Sequence, residues 1–393
     1  MAASGRARIL IVDDSAVMRS LLRSVVSADA RLEVAGTAAD GASALSSIEH
    51  DRPDLILLDV EMPVMDGLVT LRELHKRGNK MPVIMCSSLT QRGARVTIEA
   101  LAGGASDYVA KPTGQSGREA AVQALTQELI PKIHALTRRP TSAGPGAAPA
   151  RSQAVPPLIP GLSRAAGLPA GVAFPARPQP ITAEPTVLAI GVSTGGPAAL
   201  DVLLPRLPAG FPLPVLVVQH MPEVFTKILA ERLNGRCQIP VREAADGEPV
   251  RPGAVLIARG NWHMEVLAGA QPAAAPTIRL NQGPQENHCR PSVDVLFRAA
   301  AGVYGSGVLA VVLTGMGSDG LSGCRLIREQ GGTVLAQDEA SSTVWGMPGA
   351  VASAGLAHRI VPLEAMAQEI LRLTAKAGSA ARAGFEFHRQ AVS

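Results

Sequence analysis

The stretch Thr186–Pro197, TVLAIGVSTGGP, runs a continuous apolar segment into a turn of serine, threonine and glycine, followed by proline. Uninterrupted Val, Leu and Ile without polar alternation are the pattern of a strand buried on both faces, as in a parallel sheet. Small residues then permit a sharp turn, and Pro197 suits the first turn of a helix, where no amide donor is needed. Strand, tight turn and helix together make the unit from which α/β sheets are wound. The same rhythm continues downstream. Strands are expected at Val187–Val192, Val215–Gln219, Ala254–Ile257, Val308–Leu313 and Thr333–Ala336, with helices near 198–204, 223–234, 292–302, 320–330 and 363–374. Residues 185–373 are therefore expected to form an α/β domain, with a frayed tail after Ala375.

Upstream, residues 7–137 repeat the alternation, with strands expected at Arg8–Val12, Leu32–Thr37, Leu55–Leu58, Val83–Cys86 and Asp107–Ala110. This predicts a second open parallel sheet with helices on both faces. Between the two, residues 138–184 are rich in Pro, Ala, Gly and Arg and lack apolar periodicity. Such a segment buries too little surface to offset its chain entropy and is expected to be a flexible linker.

The net charge of +4 is carried by that linker: Arg138, Arg139, Arg151, Arg164 and Arg177 lie in 138–177 with no acid, and without them the chain is at about −1. Neither expected domain has the basic surface of a nucleic-acid binder, and no helix-turn-helix pattern is present. Cys86, Cys237, Cys289 and Cys324 form no CxxC pair, which fits a reducing compartment rather than a disulfide framework. MAASGRARILIVDD lacks a signal-peptide apolar core, and the apolar runs fall far short of the about 20 residues of a membrane helix. A cytoplasmic protein is expected, with no nucleic acid and no membrane insertion.

Two sets of strand ends carry chemistry. In the first region one strand ends in Asp13-Asp14, another in Asp59, a third in Cys86-Ser87-Ser88, and the last in Ala110-Lys111-Pro112. Carboxylates gathered at one sheet edge repel each other unless a cation joins them, and hard oxygen ligands suit Mg²⁺. Each acid alone would be an ordinary helix cap; the ordered series is not. In the second region Gly191-Val192-Ser193-Thr194-Gly195 fits G-x-S-x-G, in which small residues flank a nucleophile lifted from the sheet edge. The next strand ends at His220, a candidate general base. Asp319 follows Val308–Leu313 in a glycine-rich turn, where it can orient that base. The order Ser, His, Asp differs from that of α/β-hydrolases.

These residues resemble known families. The stretches ILIVDDS, LILLDVEMPVMDGL, MCSS and GASDYVAKP are similar to response-regulator receiver domains. The resemblance implies a flavodoxin-like fold with Asp59 as phosphoacceptor. Asp13 and Asp14 would join Asp59 in holding Mg²⁺, with a main-chain carbonyl near Glu61. Ser87 would be the switch hydroxyl, ahead of Ser88, and Tyr108 the switch aromatic. Lys111 would contact the phosphoryl group. The stretches IGVSTGGPAAL, VVQHMP, RPSVDVLF, VVLTGMGSDG and VWGMPGAV resemble the catalytic domain of chemotaxis protein-glutamate methylesterases, a Rossmann-like fold.

That second resemblance implies a Ser193, His220 and Asp319 triad, oxyanion donors at the main-chain N–H groups near Thr194 and Met316, and no cofactor for the esterase. It also implies chemoreceptors as substrates, methyl-ester hydrolysis and glutamine deamidation as reactions, and a chemotaxis histidine kinase as phosphodonor. An adaptor that only docks to receptors is disfavoured by the intact trio. Two departures stand out: a long linker, and Cys289 where the family often has His, a change expected to be harmless. His263 is a candidate substrate contact, and His288 and Cys289 are expected to lack the further ligands a metal would need.

Overall fold

The structure, a computed structural model, describes residues 5–112, 117–137, 181, 183–271 and 274–375. The segment 138–184, apart from 181, 183 and 184, and the tail after Ala375 lie outside the described residues. Two parallel sheets account for most of the rest. The first has strands β1 (Ala7–Val12), β2 (Leu32–Ala38), β3 (Leu55–Asp59), β4 (Val83–Ser87) and β5 (Asp107–Ala110). They are arranged β2-β1-β3-β4-β5. Helices α1 (Ala16–Ser27), α2 (Gly41–Asp51), α3 (Gly67–Lys76), α4 (Gln91–Ala102) and α5 (Arg118–Thr137) cover the faces. The order of strand addition reverses between the parallel strands β1 and β3, and ligands of such folds gather at the carboxyl ends beside that switch point. Asp13 follows β1 and Asp59 ends β3.

The second sheet is seven-stranded, ordered β14-β13-β12-β6-β7-β9-β8 and parallel throughout. Its strands are β6 (Val187–Val192), β7 (Val215–Gln219), β8 (Val241–Glu243), β9 (Val255–Ile257), β12 (Val308–Val312), β13 (Thr333–Gln337) and β14 (Arg359–Val361). Val187, Leu188, Ala189 and Ile190 of β6 are fully buried, as an unbroken apolar run requires of a central strand. Helices α6 (Gly196–Leu203), α7 (Glu223–Asn234), α8 (Val293–Tyr304), α9 (Leu321–Glu329) and α10 (Met347–Ser353), with a helix over 363–375, flank the sheet.

Several elements escape the sequence reading. Strands β8 and β14 are three residues each, too short for a pattern. The antiparallel ribbon of β10 (His263–Leu267) and β11 (Thr277–Asn281) packs Met264, Val266 and Ile278 against Leu296 and Phe297 of α8. Helix α10 opens at Met347-Pro348, within a Gly/Pro-rich stretch that resists assignment by periodicity. Among the described residues no helix is long and apolar enough to cross a membrane.

Candidate active site

The central strand β6 pairs with β7 on one side and β12 on the other, so the chain leaving it stands at the switch point of the second sheet. Ser193 is the first residue beyond β6. Its turn is shaped by glycines that no larger residue can replace. Gly195 has φ +77°, and a Cβ there would run into the Thr343 side chain; a Cβ on Gly191 would strike Val293. Gly315, beyond β12, packs flat against Ser193. The Val192–Gln219 pairing places Ser193 and His220 side by side, and Gln219 Nε2 bridges their carbonyls at 3.0 and 3.3 Å.

His220 Nε2 lies 2.8 Å from Asp319 Oδ2. Asp319 is buried and richly solvated by protein donors. Oδ2 also accepts from the Val293 N–H at 2.6 Å. Oδ1 accepts from Ser292 Oγ, Asn287 Nδ2 and the N–H groups of Asp294 and Gly320, at 2.8, 2.9, 3.1 and 3.1 Å. Burial works against its charge, but His220 and these donors hold the carboxyl well below the usual carboxylate range. Burial likewise works against an imidazolium, yet the bond to Asp319, aided by the Cys289 sulfur, pushes His220 up to about 9. Among the described residues Ser193 Oγ makes no hydrogen bond, and the Nδ1 edge of His220 meets Cys289 Sγ at 3.6 Å. The main-chain N–H groups of Thr194 and Met316 also have no acceptor among the described residues.

In the first sheet, carboxylate oxygens of Asp13, Asp14 and Asp59 lie within 4.8 Å of one another. Lys111 Nζ reaches Asp13 Oδ2 at 2.8 Å and Asp59 Oδ1 at 2.7 Å. Burial pushes the Asp59 carboxyl up to about 6 against the pull of Lys111, with the charge of Asp13 adding to the rise. Asp14 is exposed, whereas Ser87 is fully buried with Oγ donating to the Ser88 carbonyl at 3.2 Å.

Residues 188–370 match the CheB methylesterase family model and residues 9–123 the response regulator receiver domain. A protein-glutamate methylesterase/protein-glutamine glutaminase of Trichodesmium erythraeum is 46% identical over 93% of this chain and 98% of its own. One from Nocardioides sp. is 47% identical over 94% and 96%. The chain belongs to the CheB methylesterase family. The crystal structure of the Thermotoga maritima CheB methylesterase catalytic domain is 41% identical and covers 49% of this chain and all of its own, with a TM-score of 0.47.

In this CheB family member the two sheets meet through the residues beside the serine. Thr194 Oγ1 donates to Asp107 Oδ2 at 2.6 Å, with both side chains buried. Tyr108 stacks on Phe225 of α7 at 4.6 Å between ring centroids. Lys132 Nζ donates to the Tyr108 carbonyl at 2.6 Å and sits 5.0 Å from its ring. One buried apolar cluster takes in Met85, Ile98 and Tyr108 together with Leu203, Phe225 and Leu229.

Sequence reasoning missed Gln219, Asn287 and Ser292, whose only signal is proximity to a singled-out neighbour. Asp294 falls in the first turn of α8, and its carboxylate accepts from Asn287 and from the Gly323 N–H. His263 is buried, with Nε2 on the Pro284 carbonyl at 2.9 Å and Nδ1 accepting from the Ser292 N–H at 3.2 Å. It anchors the Ser292 segment, so the candidate substrate contact is a buried structural histidine.

Proposed function

We propose that this chain is a phosphorylation-controlled serine hydrolase that removes methyl groups from glutamate γ-methyl esters of chemoreceptors and deamidates receptor glutamines. The observation that carries the reading is the ion-paired His220 and Asp319 beside Ser193 at one sheet edge. With Asp319 on Nε2, the proton acceptor is Nδ1, and the Ser193 hydrogen bond to it forms as substrate enters; such bonds commonly tighten only in the substrate complex. Ser193 Oγ attacks the ester carbonyl while Nδ1 takes its proton. The oxyanion is stabilised by the N–H groups of Thr194 and Met316. Collapse expels methanol, which receives the proton from His220, and water then hydrolyses the acyl-enzyme. With a glutamine side chain the leaving group is ammonia.

Because His220 acts as a base only when neutral, and its pKa stands at about 9, turnover at subsaturating substrate is expected to climb with pH through neutrality and level off near pH 9. A kcat/KM profile already flat at pH 7 would contradict this.

The receiver reading assigns residues 7–137 to control and 185–373 to catalysis, joined through 138–184. Asp59 accepts the phosphoryl group from a chemotaxis histidine kinase in the cytoplasm, and Lys111 pairs with a phosphoryl oxygen. The three carboxylates, balanced by a single lysine, suit Mg²⁺, which Asp13, Asp14 and Asp59 would hold. The cation supplies charge screening for phosphoryl transfer to Asp59. Phosphorylation reorganises Ser87 and Tyr108, and with them the Tyr108–Phe225 and Asp107–Thr194 contacts that press the receiver on the serine turn.

Methanol release from methylated receptor tests both halves. A small phosphodonor is expected to raise it about tenfold or more in the wild type, within the usual range of coupling between sites, and not at all in Asp59→Asn. Equal activation of the variant would sink the control scheme, and no methanol from the wild type would sink the hydrolase.

A further inference from the structure

Cys289 was expected to lack partners for a metal. The fold corrects this by bringing it to His220 from far along the chain. Asn287 and His288 take left-handed backbone (φ 51° and 62°). That turn aims Asn287 at Asp319 and carries the next residue but one, Cys289, to the imidazole. His288 itself stays exposed and outside the cluster.

The geometry around the ring is that of a metal ligand. An ionised Asp319 only accepts, so Nε2 keeps its proton in the neutral ring and Nδ1 turns its lone pair toward the sulfur. A carboxylate behind the imidazole is the usual device for fixing the tautomer of a ligating histidine. The ligand atoms of His220, Cys289 and Asp319 all lie within 4.8 Å of one another. Tetrahedral zinc, with Zn–S of about 2.3 Å and Zn–N of about 2.0 Å, sets those two ligands roughly 3.5 Å apart. Sγ and Nδ1 stand 3.6 Å apart. A thiol and an imidazole select a borderline-soft dication over Mg²⁺ or Ca²⁺. Both groups are partly open to solvent, so an ion has a path in.

We propose that Cys289 and His220 form a two-ligand site for a thiophilic divalent cation of the zinc class, and that its occupation switches the hydrolase off. Binding forms S–metal and N–metal bonds and releases to solvent the thiol proton and, where the ring is charged, the Nδ1 proton. The lone pair on Nδ1 is then committed to the metal and unavailable to the serine proton. Two protein ligands leave the remaining positions to water, so the ion is held reversibly. The inhibitory consequence rests on the hydrolase reading; the site itself does not.

The test uses the full chain with Co²⁺ as spectroscopic probe. A thiolate-to-cobalt charge-transfer band is expected in the wild type and in Ser193→Ala, and its loss in Cys289→Ser. In parallel, Zn²⁺ is expected to cut wild-type methanol release about tenfold or more, reversibly on chelation. Cys289→Ser should need at least about tenfold more zinc for the same fractional loss, each protein being compared with its own metal-free rate. No wild-type band, or an undiminished band in Cys289→Ser, overturns the site. A band without loss of turnover overturns the switch. A metal-free wild type that releases no methanol counts against the hydrolase reading, while the cobalt band still decides the site.

Discussion

Ser193→Ala is expected to lower methanol release by roughly 10⁴- to 10⁶-fold while leaving the thermal midpoint within a degree or two of wild type. The size of the loss follows from removing the nucleophile of a unit whose members act together. The lack of a stability effect follows from the structure: Ser193 is only partly buried, and among the described residues its hydroxyl makes no hydrogen bond. The turn is held by other means. The Ser193 N–H donates to the Thr314 carbonyl at 3.0 Å, its carbonyl accepts from Gln219, and Gly195 supplies the positive φ. Initial-rate methanol assays paired with a melting curve check both parts. Turnover within tenfold of wild type would remove Ser193 from the chemistry. A collapse of the melting curve would show that the hydroxyl is structural.

Asp319→Asn is expected to cost about 10⁴-fold in kcat, the scale of misdirecting the tautomer of a catalytic histidine, and to lower stability as well. An asparagine amide facing Nε2 donates to it, which drives the ring proton to Nδ1. That is the nitrogen that must be free to accept from Ser193. The stability cost has a separate origin. Both oxygens of Asp319 accept: Val293 and His220 point donors at Oδ2, while Ser292, Asn287, Asp294 and Gly320 point donors at Oδ1. An amide NH₂ in either place meets N–H against N–H in a buried site. Melting curves should therefore separate this variant from Ser193→Ala. Unchanged stability with a small kinetic loss would mean that Asp319 neither orients His220 nor organises the 287–294 segment. The same linkage gives a sign in pH. Asp319 is held below its ordinary pKa, so its contribution to stability is present above about pH 4 and fades as acid protonates it.

The strand ends were readable because each marks a change of chemistry in a short space. Val187–Val192, Val215–Gln219 and Val308–Val312 are unbroken apolar runs, and burial on both faces of a parallel sheet demands that pattern. The residue that follows each run faces the edge whatever the sheet order, so Ser193 and His220 could be singled out locally. The same holds for Asp13, Asp59 and Lys111. The ribbon β10–β11 and the helix α10 were not readable: HMEVL and TIRLN are only five residues each, and MPGAVAS is short and rich in Gly, Ala and Pro.

Sequence by itself thus determined the α/β class, the turn that exposes Ser193, and the residue types at each sheet edge, because strand burial and tight turns leave local marks. Only the tertiary structure decided that β12 lies beside β6 and brings Asp319 within 2.8 Å of His220, 99 positions away. It alone set Thr194 against Asp107 and Cys289 against the imidazole. Such meetings are fixed by strand order and by the packing of one sheet on the other. No short window of sequence carries that information, because the free energy that selects it comes from surfaces buried between distant segments.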